Sequence, residues 1–451
     1  MDHKTIVTRI PPSPTGHLHI GTARTALFNY LLAKQTGGRV LFRSEDTDKV
    51  RSTKEFEQEI IDGLHWLGIT WDNEGDIVRQ SERAEIYKEY LLKLIENGKA
   101  YISREEGKNT PGVMVEVIRL KNPNIKITFN DLVRGDITFD TTELGDVVIA
   151  RSIDDALYHF TVVVDDFLMG VTHVMRGDDH ISNTPRQILI QEALGIERPI
   201  YAHLPLILAP DRSKMSKRHG AVALRDYRDM GYTKEAVINF LALLGWNPGT
   251  DQELFTFPEL IENFSVSHIH KAGAVFDIKK FNWYNREYLK AYSLNDFANY
   301  LDLDSLELPK HFQIDSEKFS RIIPLIKERV YTRQEAIDEI RAGEYDFAFI
   351  TPTDFATDLM KWKNDDSVKD ALPRLKQASV LLEKADFSSV DSIKSAVWTY
   401  AEEVGKGELL WPLRVALSGR ERSPDPFTIA FIIGRVETID RIRLACDKIG
   451  E

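Results

Sequence analysis

The chain has 451 residues, 43% hydrophobic and 28% charged, with a formal net charge of −12. That is the make-up of an ordinary water-soluble protein with material for about three compact units. The single cysteine, Cys446, excludes an internal disulfide and a cysteine-rich zinc site. No apolar run reaches the ~18 residues that span a bilayer, and Met1-Asp2-His3-Lys4 leads into a strand rather than a secretion signal. A cytoplasmic protein with no membrane partner is expected. The acidic total argues mildly against nucleic-acid binding, although binding depends on a local basic face rather than on the sum.

Taken in order, Thr5-Ile6-Val7-Thr8 reads as a buried strand. In the next stretch, Arg9-Ile-Pro-Pro-Ser-Pro-Thr-Gly-His-Leu-His-Ile-Gly-Thr22, three prolines forbid helix and ladder and predict a rigid loop. Residues 23–37 follow as a helix closed by Gly37-Gly38. His19 and Gly21 then fall at its first turn, where unpaired N–H groups and the helix dipole favour anions. Gly21 lets a flat ring or a phosphate approach the backbone. The plain alternative is a helix start and nothing more. Residues 38–42 read as a second strand, and Ser52-Thr-Lys-Glu55 as a capping box opening a helix to Leu67. This alternation predicts a parallel sheet with crossover helices. The lack of Gly-x-Gly-x-x-Gly leaves a dinucleotide dehydrogenase with little support. Glu45, Asp46 and Asp48 stand just past the second strand, where such sheets bind ligands. One carboxylate there suits a substrate ammonium; the alternative is a solvated acidic turn.

A helix from Ser81, with Tyr87, Leu91, Leu94 and Ile95 on one face, ends at Gly98. The strand-like segments 113–120, 125–129, 137–140 and 147–150 then interrupt the alternation and read as an insertion. The pattern resumes with 158–166 and 171–176, a helix over 184–194, and the apolar run 204–208. Taken alone, Arg176 reads as an ion-pair partner of Asp178 or Asp179. In Asp211-Arg-Ser-Lys-Met-Ser-Lys-Arg-His-Gly220, four cations crowd a segment whose Gly220 permits an unusual turn. Such a loop suits a triphosphate whose charge moves onto a leaving pyrophosphate; the alternative is a solvated basic loop. A helix over 233–245 opens a connecting region that runs to about Tyr292. The last ~150 residues show only helical periodicity.

His19-Ile-Gly-Thr22 followed by Lys214-Met-Ser-Lys-Arg218 resembles the paired hallmark sequences of the class I aminoacyl-tRNA synthetases. Pro12-Ser-Pro-Thr-Gly16 and Arg43-Ser-Glu-Asp-Thr-Asp48 narrow the resemblance to the bacterial-type glutamyl-tRNA synthetases, over nearly the whole chain. It implies an α/β fold: a Rossmann-like parallel-sheet catalytic domain with an inserted acceptor-binding domain, followed by an all-helical anticodon-binding domain. The implied boundaries are 1–79 and 161–203 for the two catalytic halves and 80–160 for the insertion. Residues 204–296 would form the connecting domain with the basic loop, and 297–451 the anticodon domain. It also implies an ATP-dependent ligase that makes glutamyl-adenylate and passes the acyl group to tRNA(Glu), acting as a monomer. Mg²⁺ would come with the triphosphate, and no zinc is expected. By resemblance, His19 and Lys217 are catalytic, and Gly21, Lys214 and Ser216 join them around ATP. Arg9, Ser13, Glu45, Tyr158 and Arg176 would hold glutamate, with Arg9 favoured for its side-chain carboxylate. Arg329 is the expected anticodon contact. Two departures stand out: Val162 replaces a polar pocket residue of some relatives, and the insertion is short and lacks the cysteines that bind zinc in others. A glutaminyl enzyme or a tRNA-base modifier would not carry the helical C-terminal unit, and a pure nucleic-acid binder would not need the intact basic loop.

Overall fold

The computed structural model describes residues 5–107, 110–216, 218, 220–314 and 316–450. They form two compact units, divided between Tyr288 and Leu289.

In the first unit, β1 (Val7–Ile10) is buried at every position. It begins two residues later than its β-branched run suggests, because Thr5 is exposed and only the later residues reach the core. The proline loop follows, and its hydrogen bonds carry the chain into α1 (Ile20–Gln35). That helix is buried nearly all round, with Leu27, Phe28 and Leu31 fully enclosed and Arg24 and Asn29 buried beside them. β2 (Arg39–Ser44) pairs in parallel with β1, and after α2 (Lys54–Trp66) β3 (Val78–Arg79) pairs in parallel with β2. The cap of α2 is Thr53, whose hydroxyl accepts from Phe56 N at 3.2 Å, and not Ser52. Moving the start by one residue puts Phe56 where the box needs an acid, so the expected capping box does not form.

After α3 (Ala84–Glu96), β4 (Ala100–Gly107) and β5 (Thr110–Leu120) form an antiparallel pair. Next comes a hairpin, β6 (Lys126–Asp131) and β7 (Gly135–Asp140), then β8 (Val147–Ser152) and β9 (Asp155–Ala156). The inserted stretch divides here. β4, β5, β8 and β9 make a sheet of their own, whereas the β6–β7 hairpin joins the edge of the main parallel sheet. Residues 158–166 are helical, within α4 (Tyr158–Leu168). β10 (His173–Gly177) and β11 (Ile200–Leu204) are parallel and connected by α5 (Thr184–Leu194), and β11 takes β6 at its other side.

The halves β3-β2-β1 and β10-β11-β6-β7 lie side by side without a regular ladder between them. Thr172 N donates to Val7 O at 3.0 Å. Further along, two side chains take over: Asn29 Nδ2 and Arg9 Nη1 both donate to Met175 O, at 3.0 and 3.3 Å. The strand order turns back on itself at this seam, and a doubly wound sheet opens a crevice there.

The unit is completed by β12 (Ile207–Leu208), α6 (Leu224–Asp229), α7 (Lys234–Leu243), α8 (Phe257–Asn263), β13 (Ala274–Val275) and α9 (Ile278–Lys290). Beyond Leu289 no strand occurs among the described residues. The longer helices there are α10 (Leu294–Leu301), α11 (Glu317–Arg329), α12 (Arg333–Arg341), α13 (Ala371–Glu383), α14 (Val390–Val404), α15 (Lys406–Ser418), α16 (Pro426–Ile433) and α17 (Arg435–Gly450). Ile322, Ile326, Leu375, Ile393 and Leu413 share their apolar core. Among the described residues no helix is long and apolar enough to cross a membrane.

Candidate active site

A cavity of about 390 Å³ opens at the seam between β1 and β10. Arg9, His19, Gly21, Arg176 and Lys214, five residues singled out in the sequence, line it together. Ser13, Glu45, Tyr158 and Ser216 are not part of that lining. All four stay close by, Ser216 as the neighbour of Met215, which lines the cavity. Glu45 N donates to Pro12 O at 2.9 Å, which sets Glu45 against the proline loop that carries exposed Ser13. Tyr158 Oη lies 3.4 Å from Nδ1 of His180, a lining residue. Lys217 lies outside the described residues. Arg329, exposed in the second unit at the end of α11, sits 5.8 Å from the Tyr345 ring.

Burial gives each of these groups its character. Arg176 is buried, and its partners are all neutral: Nε donates to His203 Nε2 at 3.2 Å, Nη1 to Gln187 at 2.7 Å and Nη2 to Thr184 at 2.8 Å. The expected ion pair with Asp178 or Asp179 does not form. Asp178 accepts from Arg134 at 2.5 Å and Asp179 from Lys214 at 3.1 Å, so both acids are engaged elsewhere. Burial lowers the Arg176 pKa, as it must for a cation with no carboxylate bonded to it. An anion arriving in the cleft would supply that missing charge. Arg9 differs, because it shares its charge with Asp166 at 3.4 Å.

Behind Arg9 lies a network that the sequence did not reveal. Arg43, fully buried on β2, donates to Asp166 at 2.7 Å and to Glu45 at 2.9 Å, and approaches Asp165 at 3.9 Å. Burial pushes the Glu45 carboxyl above its ordinary value, opposed but not cancelled by Arg43 and Arg9. Asp166 shows the reverse balance: burial raises it, but Arg43 and Arg9 prevail and hold it low. Burial, with Glu45 nearby, pushes the Tyr158 hydroxyl up to about 12, so it remains a donor.

On the other side of the cleft, His19 is the N-cap of α1, and its Nδ1 accepts from Gly21 N at 3.0 Å. The imidazole is therefore neutral with its proton on Nε2, consistent with a pKa lowered first by burial and then by Lys214. Ile20 N is spent on Val222 O and Ala23 N on His19 O. The helix start thus offers an anion less free backbone than its sequence suggests, and side chains must do more. A Cβ on Gly21 would come within 3.2 Å of His19 Nδ1, so a larger residue there would push the imidazole out of place. Lys214 follows a tight turn in which Arg212 adopts φ of +64°, while Met215 is buried and anchors the loop. Arg24, buried at the wall and bonded to the carbonyls of Leu244 and Pro205, adds another cation to the lining. An acidic chain thus presents a cationic cleft, and local charge governs what enters it.

Comparisons with known proteins bear on the chain as a whole. The model described as "tRNA synthetases class I (E and Q), catalytic domain" matches residues 5–110 and 105–283, and "Anticodon binding domain" matches 291–446. The chain is 38% identical to a glutamate–tRNA ligase of Natranaerobius thermophilus, over 98% of each chain. It is also 38% identical to glutamate–tRNA ligase 1 of Helicobacter pylori, over 97% of this chain and 98% of that one.

The chain belongs to the class I tRNA synthetases of the E and Q family. A glutamate tRNA ligase of Elizabethkingia meningosepticum, solved in complex with its amino acid, superposes with a TM-score of 0.86 at 29% identity. The match covers 99% of this chain and 100% of that one. In this class I synthetase, sequence reading found the motif residues, named Arg43 and Asp179 without giving them a part in the site, and missed Arg24, Asp166 and His180. The last three carry no motif of their own, and only the fold brings Arg24 and His180 to the cleft and Asp166 behind it.

Proposed function

We propose that the chain is a glutamate–tRNA ligase, supported by its near full-length kinship with such ligases and carried by one observation: a buried Arg176 with neutral partners faces the cavity that also holds His19, Gly21 and Lys214. In the first step an α-carboxylate oxygen of glutamate attacks the α-phosphorus of ATP, and the bond to pyrophosphate breaks. In the second, the 2′-hydroxyl of the terminal adenosine of tRNA(Glu) attacks the acyl carbon and AMP leaves. The substrates bring their own nucleophiles, so the protein contributes position and fixed charge.

Arg176 takes a glutamate carboxylate through the N–H left on each terminal nitrogen. Arg9, already half-committed to Asp166, assists. Glu45 and Ser13 receive the ammonium, with the Tyr158 hydroxyl beside them. His19 Nε2–H and Lys214 meet the nucleotide, Gly21 leaves room for it, and Ser216 and Lys217 complete the phosphate contacts. Mg²⁺ arrives as part of the ATP substrate; among the described residues no group of three or more His, Cys, Asp or Glu is placed to hold a metal. The β4-β5-β8-β9 sheet takes the acceptor end of the tRNA and the helical unit its anticodon, with Arg329 as the contact. The enzyme works as a cytoplasmic monomer.

Pyrophosphate exchange with glutamate, glutamine and aspartate, each with and without tRNA, tests the reading. Exchange that follows glutamate alone is the expected result. Preference for glutamine, or no exchange under any of these conditions, overturns it.

A further inference from the structure

We propose that His203 and Asp131 are positioning residues for Arg176, a pair that sets the amino-acid site without touching the amino acid. This rests on Arg176 being the carboxylate-binding residue.

The argument begins with donors. A guanidinium can only donate, so the 3.2 Å contact from Arg176 Nε makes His203 Nε2 an acceptor. The imidazole proton must then sit on Nδ1, which lies 2.6 Å from Asp131 Oδ2 and donates to it. Asp131 is itself fixed. It ends β6 and accepts the backbone N–H groups of Val133, Arg134 and His203, at 3.0, 2.8 and 3.0 Å. Asp131 and His203 are fully enclosed, with side chains at 0% exposure. Burial lowers the His203 pKa, so the ring stays neutral.

The consequence is orientational. Asp131 selects the tautomer, and the tautomer makes Nε2 the acceptor that fixes the rotation of the guanidinium about its long axis. Thr184 and Gln187 then hold one N–H of each terminal nitrogen. What remains of the five donors is one N–H on each of Nη1 and Nη2, from a residue that lines the cavity. In the opposite tautomer two N–H groups would face each other across 3.2 Å, and the arginine would turn away. Asp131 comes from the hairpin that interrupts the catalytic halves, so this pairing gives that hairpin a part in choosing the amino acid.

The test is pyrophosphate exchange on the full-length enzyme, with KM for glutamate, KM for ATP and kcat measured separately. His203→Leu removes the contacts to Arg176 and Asp131, and that of Nε2 with Thr184 Oγ1 at 3.2 Å, and should raise the glutamate KM about tenfold or more, with the ATP KM within about twofold. His203→Gln keeps one acceptor and one donor and should recover most of the loss. Asp131→Asn, of unchanged volume, should raise the same KM by a smaller factor, and it decides the matter if His203→Leu fails to fold. Arg176→Gln is the reference. If it leaves the glutamate KM unchanged, the carboxylate reading fails and the inference with it. If it raises that KM while folded His203→Leu and Asp131→Asn do not, the inference alone is overturned. A parallel rise in both KM values, unrelieved by His203→Gln, would also overturn it, since that marks a general loss of structure.

Discussion

Arg9 and Arg176 bring the same charge into one cleft, yet their surroundings divide the work between them. Arg9 has Asp166 at 3.4 Å, while Arg176 has only neutral partners. A substrate carboxylate would therefore gain more from Arg176, while Arg9 stays the proposed partner of the side-chain carboxylate. Each hydrogen bond to a charged group contributes roughly 1.5–3 kcal/mol, so losing two raises KM by about a hundredfold or more. Arg176→Gln should do this for glutamate while leaving the ATP KM nearly unchanged. Arg9→Gln should cost about tenfold and reduce the preference for glutamate over glutamine, because an amide tolerates the loss of a donor better than a carboxylate does. Competition assays with both amino acids check the pair; full selectivity in Arg9→Gln would remove Arg9 from discrimination. Lys217→Ala should slow activation by about two orders of magnitude, the usual size of one lost transition-state contact near 3 kcal/mol. Single-turnover adenylate formation measures it, and a near-normal rate in folded protein would end that assignment.

Between elements, the decisive joint is the one Arg43 makes. It links β2 to α4 through Asp166 and Asp165, and to the loop beyond β2 through Glu45. Removing one partner of a buried charge set costs about 3–5 kcal/mol, because the other charges stay behind unpaired. Arg43→Gln should therefore lower the stability of the catalytic unit by that order, as read by denaturant titration. It should also change a pH profile. Glu45 must be ionised to hold an ammonium, and its pKa already lies above the ordinary value of 4.5. Glutamate KM should thus fall as pH rises through that raised pKa. Without Arg43 the carboxyl loses its main counter-charge, so the falling limb should move to higher pH; an unmoved limb would dissociate Arg43 from Glu45. Elements like these explain what the sequence could and could not disclose. α5 was legible to the residue, because Pro185 in its first turn and the left-handed Gly195 after its last mark both ends. The hallmark residues were legible because each set is contiguous in the sequence. The hairpin of β6 and β7 was assigned to the insertion because its period-2 pattern says that it is a strand pair but not which sheet it joins. Asp131 and His203 are 72 positions apart, and Arg43 and Asp166 are 123 apart; no local pattern connects residues across such distances.

For the whole molecule, the net charge of −12 and the cationic cleft are compatible because small anionic substrates respond to the potential where they bind. The same scale bears on metals. One buried cysteine, and no ligand cluster among the described residues, predict that chelator-washed enzyme keeps its activity; stoichiometric zinc with activity lost on its removal would contradict that. The proposed roles also divide by unit. Every residue assigned here to glutamate or ATP precedes Tyr288, and Arg329 belongs to the helical unit that begins at Leu289. Arg329 is exposed at the C-terminal end of α11, 5.8 Å from the ring of the buried Tyr345, so what it presents to the surface is a planar cation. Unpaired bases stack on guanidinium planes of this kind, with the charge adding attraction to the backbone phosphates. Arg329→Ala should then raise the KM for tRNA by about tenfold, and leave the KM values for glutamate and ATP where they were, when all three are read in the complete aminoacylation reaction. Combined with Arg176→Gln, its effect should add rather than multiply or vanish on the free-energy scale, because the two side chains share no partner. An unchanged tRNA KM would leave Arg329 as the cover of Tyr345 and nothing more, and a strong departure from additivity would mean that the helical unit reaches the amino-acid site through the bound tRNA.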